Sequence, residues 1–375
     1  MLLLTTEKIV ELKILLIAIL QVLPLVDIEN ERLEQATLIV TLILLLSLLG
    51  KNTNVLGKKR NFLLLCLNIA SIITTVILHG GSGSAVMFLN LLLASLIFNN
   101  TEISEKTYFE LHAFLAIVVT AYIVTVDISR IYSTVVVDIF KNRFNSNMFA
   151  MFTLVAYFHW TCLIFECKAA KWKKMVLLSV ISIFAFYYIL ASKSRTSILS
   201  VLVFLGLILF KKTGFSKKWF RKLTIGTLLM CCLFPVLYIS LAERYTGIVF
   251  GGKGVFSGRQ IIWKSAIEII RNYPVFGNGN EIMFQDVGSH LTVSAHNMMI
   301  GIMKMFGVIP TLTILFMLVN NNSNKSLGER ARIPQYAFIA TFPCVFFESI
   351  YTNSHLYMLL AFFLLEFIAR GSADC

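Results

Sequence analysis

Two arginines and a histidine carry most of the chemistry this sequence can offer: Arg195 within Ser192-Lys193-Ser194-Arg195-Thr196, Arg259 after Gly258, and His296 before Asn297. Arg195 lies in a polar break of a few residues between two strongly apolar segments. A guanidinium buried at mid-membrane costs roughly 2.5 to 3.5 kcal/mol on insertion scales, so a charge kept near membrane depth marks a pathway or a binding site. All three residues stand where a helix is expected to start, and free backbone N–H groups and the helix dipole favour an anion there. Two guanidiniums add bidentate donors suited to phosphate oxygens, so the expected ligand is a lipid-linked phosphate or diphosphate. An imidazole, with an ordinary pKa of about 6.5, accepts a proton from a sugar hydroxyl near neutral pH. The arginine pair would stabilise the negative charge growing on the leaving diphosphate. Lys193, Ser194, Asn297 and Arg143 are the candidate substrate contacts.

Such residues need a scaffold held in a bilayer. Of the 375 residues 57% are hydrophobic and 14% charged, with a mean hydropathy of +0.80. That is more apolar surface than a soluble domain can bury. The apolar runs are about 15 to 20 residues long, and about twelve of them can span the hydrocarbon core. The first runs from Lys13 to Val26; the last three run from Met298 to Val319, Gln335 to Tyr351 and Leu356 to Ala369. The expected fold is therefore an all-α polytopic membrane protein, one integral domain over residues 1–375.

The net charge of +13 invites a nucleic-acid reading, but the basic residues collect in every second connection, which marks the cytoplasmic face and excludes nucleic acid as the partner. By that alternation both termini lie in the cytoplasm. No small-residue cleavage site follows the first segment, so it stays as a helix. Six of the seven cysteines sit in or beside apolar segments and act as small hydrophobes; Cys375 has no assigned role.

Two connections break the pattern, 127–147 and the much longer 242–297, the latter an extracytoplasmic loop between the ninth and tenth spans. From Arg259 to Tyr273 the apolar residues Ile262, Trp263, Ala266, Ile267, Ile269, Ile270 and Tyr273 fall on one side of a helical wheel, with Gln260, Lys264, Glu268 and Arg271 opposite. This predicts an amphipathic helix on the membrane face, capped by Ser257-Gly258 and ended by Pro274 and Gly277-Asn278-Gly279. Arg259 falls on the apolar side and should point to the bundle; Ile261 does not fit the pattern. Trp263 and Tyr273 read as interfacial anchors. Lys304 and Glu348 fall inside spans and should face the protein interior. No closely spaced carboxylate pair, Asp-rich phosphate motif or P-loop is present.

Ser194-Arg195-Thr196, Ser257-Gly258-Arg259-Gln260-Ile261-Ile262-Trp263, Asn272-Tyr273-Pro274-Val275-Phe276-Gly277-Asn278-Gly279 and His296-Asn297, in this order, resemble the O-antigen ligase and polymerase family. Asn145-Ser146-Asn147 resembles a family asparagine motif, and the likeness spans about Asn145 to Pro310. Where relatives often carry a second glycine after Gly307, this chain has Val308-Ile309-Pro310. The resemblance implies a GT-C-like, metal-independent and cofactor-free membrane glycosyltransferase of the bacterial inner membrane. Its substrates would be undecaprenyl-diphosphate-linked glycans, and its site would lie on the extracytoplasmic face. It also implies diphosphate-handling roles for Arg195 and Arg259 and an acceptor-activating role for His296.

Each residue has a plainer alternative. Arg195 could snorkel to the headgroups, the helix headed by Arg259 could bind anionic lipid, and His296 could cap its helix. Arg130, Lys141 and Arg143 read first as a headgroup-binding face. At the level of the whole protein, the leading expectation is a polymerase joining lipid-linked repeat units into capsule or O-antigen, with a flippase and a chain-length regulator as candidate partners. A ligase is the closest rival, and a transporter or flippase is the rival from another class.

Overall fold

The computed structural model describes residues 6–26, 31–51, 59–79, 82–98, 104–126, 135–137, 143–210, 217–244, 249–250, 253–254, 259–279, 282–286, 289–293, 295–313 and 332–347. The helices are α1 (Thr6–Val22, continued by a 3-10 turn over Leu23–Val26), α2 (Glu31–Lys51), α3 (Lys59–His79), α4 (Ser82–Phe98), α5 (Glu105–Thr125), α6 (Ser146–Glu166), α7 (Lys171–Ala191), α8 (Arg195–Phe210), α9 (Lys217–Arg244), α10 (Arg259–Asn272), α11 (Met298–Phe306), α12 (Arg332–Ala340) and α13 (Phe342–Phe347). Among the described residues six, α2, α3, α5, α6, α7 and α9, are long and apolar enough to cross a bilayer, and α8 is a shorter apolar helix. Large apolar side chains such as Ile77, Ile183 and Phe210 face outward from them. The chain is a multi-pass helical membrane protein, and hydrocarbon is the surrounding that suits these faces.

The apolar body is helical, as composition predicts. The connections add three short antiparallel ribbons: β1 (Val135–Val137) with β2 (Arg143–Asn145), β3 (Val249–Phe250) with β4 (Lys253–Gly254), and β5 (Ile282–Asp286) with β6 (Ser289–Val293).

Helix α6 is the hub: 89% of its span is buried, against 22% to 50% for the other five. One face, with Phe149 and Phe152, packs with Ile14 of α1, Leu93 of α4 and Leu115 and Val119 of α5. The other, with Leu154 and Phe158, packs with Phe204 of α8, Met298 and Met305 of α11 and Tyr336 of α12. Polar pairs fix its rotation: Trp160 Nε1 donates to Thr120 Oγ1 at 2.9 Å, Tyr157 and Ser182 share a 2.9 Å hydrogen bond, and His159 and His112 meet through their Nδ1 atoms at 2.7 Å. Asn145 of the family-like asparagine motif caps α6, its side chain accepting from the Asn147 N–H.

The expected tenth span, Met298 to Val319, is not one helix. Helix α11 is 9 residues long, Gly307 follows at φ 82, and helix resumes over 308–313. The expected eleventh is likewise divided at Thr341 into α12 and α13, with the Thr341 hydroxyl donating to the Phe338 carbonyl at 2.6 Å. Hydropathy cannot see such breaks, because the residues on both sides are apolar.

What tolerates the break is a backbone interlock. The turn after α10 lies against the end of α11: the Asn278 N–H donates to the Lys304 carbonyl at 2.8 Å, the Gly279 N–H to Met305 at 3.0 Å, and the Val308 N–H to the Pro274 carbonyl at 3.0 Å. A Cβ on Gly277 would come within 2.3 Å of the Met305 backbone, and one on Gly307 within 1.9 Å of the Val275 carbonyl oxygen. Only glycines let the two segments approach this closely. Helix α3 completes the joint through one polar stripe: Thr75 donates to the Phe276 carbonyl at 2.6 Å, Ser71 to Phe306 at 3.4 Å, and Asn68 to Thr313 Oγ1 at 2.8 Å. Irregular backbone inside a membrane protein is stable where protein supplies its hydrogen bonds in this way.

The expected twelfth span, with Glu348 and Cys375, lies outside the described residues, as do Ser257, Gly258, Arg130 and Lys141. Lys304 is 1% exposed within α11, in the protein interior as expected.

Candidate functional site

Helix α7 ends at Ser192, and Lys193 turns the chain through a left-handed position at φ 54. The carbonyl of Ser194 accepts the Ile198 N–H at 3.1 Å, so Ser194 is the N-cap and Arg195 opens α8. Beneath the arginine, hydroxyls close a tight buried turn: Ser194 Oγ reaches Ser197 Oγ at 3.1 Å and Thr196 Oγ1 at 3.3 Å, and Ser192 Oγ donates to the Ile189 carbonyl at 2.7 Å. Ser194 is fully buried and its hydroxyl is engaged within the turn. Lys193 is exposed and Arg195 half-buried.

Arg259 opens α10, whose buried face is Trp263 and Ala266. As its place on the wheel predicts, the side chain turns inward and its guanidinium carbon lies 5.5 Å from the centre of the Phe347 ring, a cation–π contact. Lys264, Glu268 and Arg271 are exposed, and Ile261, which breaks the pattern, is 58% exposed.

Trp263 requires a correction. It is fully buried instead of anchoring an interface, because the apolar face of α10 is covered by protein and not by headgroups. Its ring meets Tyr238 edge-on at 4.7 Å and stacks on Phe347 at 6.2 Å. Its indole N–H donates to the Ala295 carbonyl at 2.7 Å, which ties α10 to the residue preceding His296. Tyr273, in contrast, is 45% exposed and contacts the His79 ring edge-on at 5.2 Å.

His296 sits at φ 47, a left-handed backbone position, half-buried. It does not begin the following helix: Asn297 is the N-cap and the helix starts at Met298. Asn297 is fully buried. Its Oδ1 accepts the Ile300 N–H at 3.0 Å, while its Nδ2 donates to the carbonyls of Cys231 in α9 and Phe346 in α13, each at 3.1 Å. Its amide thus ties three helices together. Arg143 lies in β2, its backbone paired with Val137, and its side chain lies outside the described residues.

These segments converge on one face of α9, a helix that carries Pro235 in its interior. Cys231 receives Asn297, Phe234 packs edge-on against Phe346 and Phe347 at 5.7 and 5.4 Å, and Tyr238 packs against Trp263. The hydroxyl of Tyr238 lies within electrostatic reach of both Arg259 and Arg195. Both arginines, far apart in sequence, thus lie near enough to act electrostatically on one phenol. Neither Tyr238 nor Phe347 stands out in the sequence, since a tyrosine near the end of an apolar span reads as a headgroup belt residue. Among the described residues no group of three or more His, Cys, Asp or Glu side chains is placed to hold a metal ion.

Residues 179–316, which include Arg195, Tyr238, Arg259 and His296, match the family model described as O-Antigen ligase. No curated protein matches the chain.

Proposed function

The chain belongs, through residues 179–316, to the O-antigen ligase and polymerase family, and from that premise we propose that it is a membrane polysaccharide polymerase. The donor is a glycan on an undecaprenyl-diphosphate carrier and the acceptor a sugar hydroxyl of an incoming lipid-linked repeat unit. His296 takes the hydroxyl proton, the oxygen attacks the anomeric carbon, and the bond from that carbon to the diphosphate oxygen breaks. The charge released onto the diphosphate rests between Arg195 and Arg259. Two fixed guanidiniums in a partly desolvated pocket do this without a metal. Lys193, exposed beside Arg195, meets the approaching headgroup, and Arg143 is carried over from the sequence as a further substrate contact.

In this reading the chain is one domain of about twelve spans with a GT-C-like arrangement. Its termini are cytoplasmic, and 242–297 forms the extracytoplasmic loop over the site at the bacterial inner membrane. A flippase supplies the lipid-linked units and a chain-length regulator acts on the product.

The observation that supports this most is that Arg195 and Arg259, from different helices, both lie within electrostatic reach of Tyr238, whose neighbour Trp263 bonds the carbonyl before His296. The test is incubation of the purified protein with lipid-diphosphate-linked repeat units. Wild-type protein should extend them, and Arg195→Ala and Arg259→Ala should fold and lose product. Unchanged polymer in both variants removes the diphosphate site.

A ligase, which passes finished glycan to a different acceptor, is the second reading, favoured by the match to the O-Antigen ligase family. A deletion strain that still builds long glycan retained on its carrier would establish the ligase and reject the polymerase.

A further inference from the structure

An apolar groove of about 810 Å³ lies among α8, α9, α12 and α13. Along α9 its wall is Trp219, Lys222, Gly226, Met230 and Phe234, spaced by three or four residues so that they share one helical face. Leu199 of α8 and Phe342 of α13 belong to the same lining. Lys222 is the one charge among the described lining residues, and its ammonium lies over the Trp219 ring at 5.3 Å, at one end of the groove. Leu199 and Met230 are 49% and 45% exposed, so a chain can enter sideways from the surrounding hydrocarbon.

The other end touches the proposed site. Phe234 packs edge-on against Phe346 and Phe347, and the Phe347 ring carries the Arg259 guanidinium 5.5 Å from its centre. From Phe234 back to Trp219 the face extends about 22 Å, at 1.5 Å per residue. An acyl chain of one leaflet has only half of the ~30 Å hydrocarbon core to fill, about 15 Å. A groove that starts beneath a headgroup site and runs about 22 Å therefore passes the bilayer midplane. Acyl chains stop short of its far end, whereas a long polyprenyl chain reaches it. Midway stands Gly226, where an added Cβ meets nothing within 4 Å, which leaves room for the methyl branches of an isoprenoid.

We infer that this groove takes the isoprenoid tail of the carrier whose diphosphate Arg195 and Arg259 hold, and that its length selects long polyprenyl carriers over short prenyl ones. The inference rests on the diphosphate site proposed above and adds to it a second point of recognition, on the hydrocarbon part of the substrate. The tail leaves one apolar surrounding for another, so what it gains is close packing along its length and not removal from water.

The experiment titrates the full-length protein in lipid nanodiscs with two probes, undecaprenyl diphosphate and geranyl diphosphate. The geranyl tail ends short of Gly226, which lies about 12 Å from Phe234 along α9. Gly226→Leu fills the groove at its middle, and the open space there together with the better helix propensity of leucine keeps the fold. It should bind undecaprenyl diphosphate about tenfold more weakly and geranyl diphosphate within about twofold of wild type. Gly206→Leu makes the same change on α8 outside the groove lining, again where a Cβ meets nothing within 4 Å; both affinities should stay within about twofold. Should Gly226→Leu melt below wild type, Leu199→Trp on the α8 wall carries the same comparison. Wild-type binding of the undecaprenyl probe alone also supports a contribution from the tail. Unchanged undecaprenyl diphosphate affinity in the groove variant overturns the inference, since ordinary bilayer lipid then fills the groove. So does an equal loss of both probes, or a Gly206→Leu protein that loses as much as Gly226→Leu; each of these leaves the diphosphate site standing. A wild-type protein that binds neither probe overturns the tail groove and the diphosphate site together.

Discussion

The helices before α6 and those after it solve the same problem differently. In the first group α1, α2 and α5 run unbroken and meet through apolar side chains such as Ile14, Leu45 and Leu115. A few polar staples join them: Lys13 to Ser47 at 2.7 Å, Gln21 to Thr41 at 3.0 Å, and the Ser104 N–H to Glu11 at 2.8 Å. The second group adds short, interrupted helices to the long α7 and α9, with 9 residues in α11 and α12 and 6 in α13. Backbone there bonds to backbone across the breaks. A continuous helix satisfies its own backbone and needs little from its neighbours; a broken one must borrow partners. That dependence makes the second group positionally strict, and the arginines, Tyr238 and His296 all lie within it. Generic packing holds the scaffold, and the interlocked part holds the proposed site.

This contrast sets an order of effects. The largest belongs to Gly307→Ala, which would place a methyl 1.9 Å from the Val275 carbonyl oxygen at φ +82. It should destabilise the protein by about 3 kcal/mol or more, seen as loss of folded material in thermal melts in detergent. Asn297→Ala comes next, removing a helix cap and leaving the buried carbonyls of Cys231 and Phe346 short of a donor. A loss of about 2 to 4 kcal/mol is expected, with product formation falling as His296 loses its fixed backbone. Trp263→Phe deletes one hydrogen bond, to Ala295, for about 1 kcal/mol. Here turnover should fall by more than the melt suggests. Gln21→Leu, in the first group, should cost about 0.6 kcal/mol and leave product unchanged. Smallest is Gly226→Ala, where a Cβ meets nothing within 4 Å; stability should hold or rise by up to about 1 kcal/mol. If Gln21→Leu abolished product while Asn297→Ala spared it, the division of labour would be reversed.

Much of this organisation was legible in the residues. The period of about 3.6 residues placed Arg259 on the inward side of α10, and the polar break before Arg195 located the start of α8. The same periodicity could not tell whether the apolar side of α10 met headgroups or protein, which is why Trp263 reads as an anchor and is in fact core. Hydropathy reads composition along a segment, so Gly307 and Thr341 interrupt apolar runs invisibly. Ser194 and Asn297 illustrate a third limit: caps and tight turns require the same polar residue types as ligand contacts, so the sequence does not reveal the structural work these two side chains do. Tyr238 becomes visible only once α8, α9 and α10 are brought together.

The most direct check on a shared diphosphate site is a double-mutant cycle. Affinity for a polyprenyl diphosphate carrier is measured in wild type, Arg195→Ala, Arg259→Ala and the double variant. If both guanidiniums grip one diphosphate, the losses should be non-additive, with a coupling of about 1 kcal/mol or more. Losses that simply add, or an affinity that neither substitution alters, would contradict the shared site.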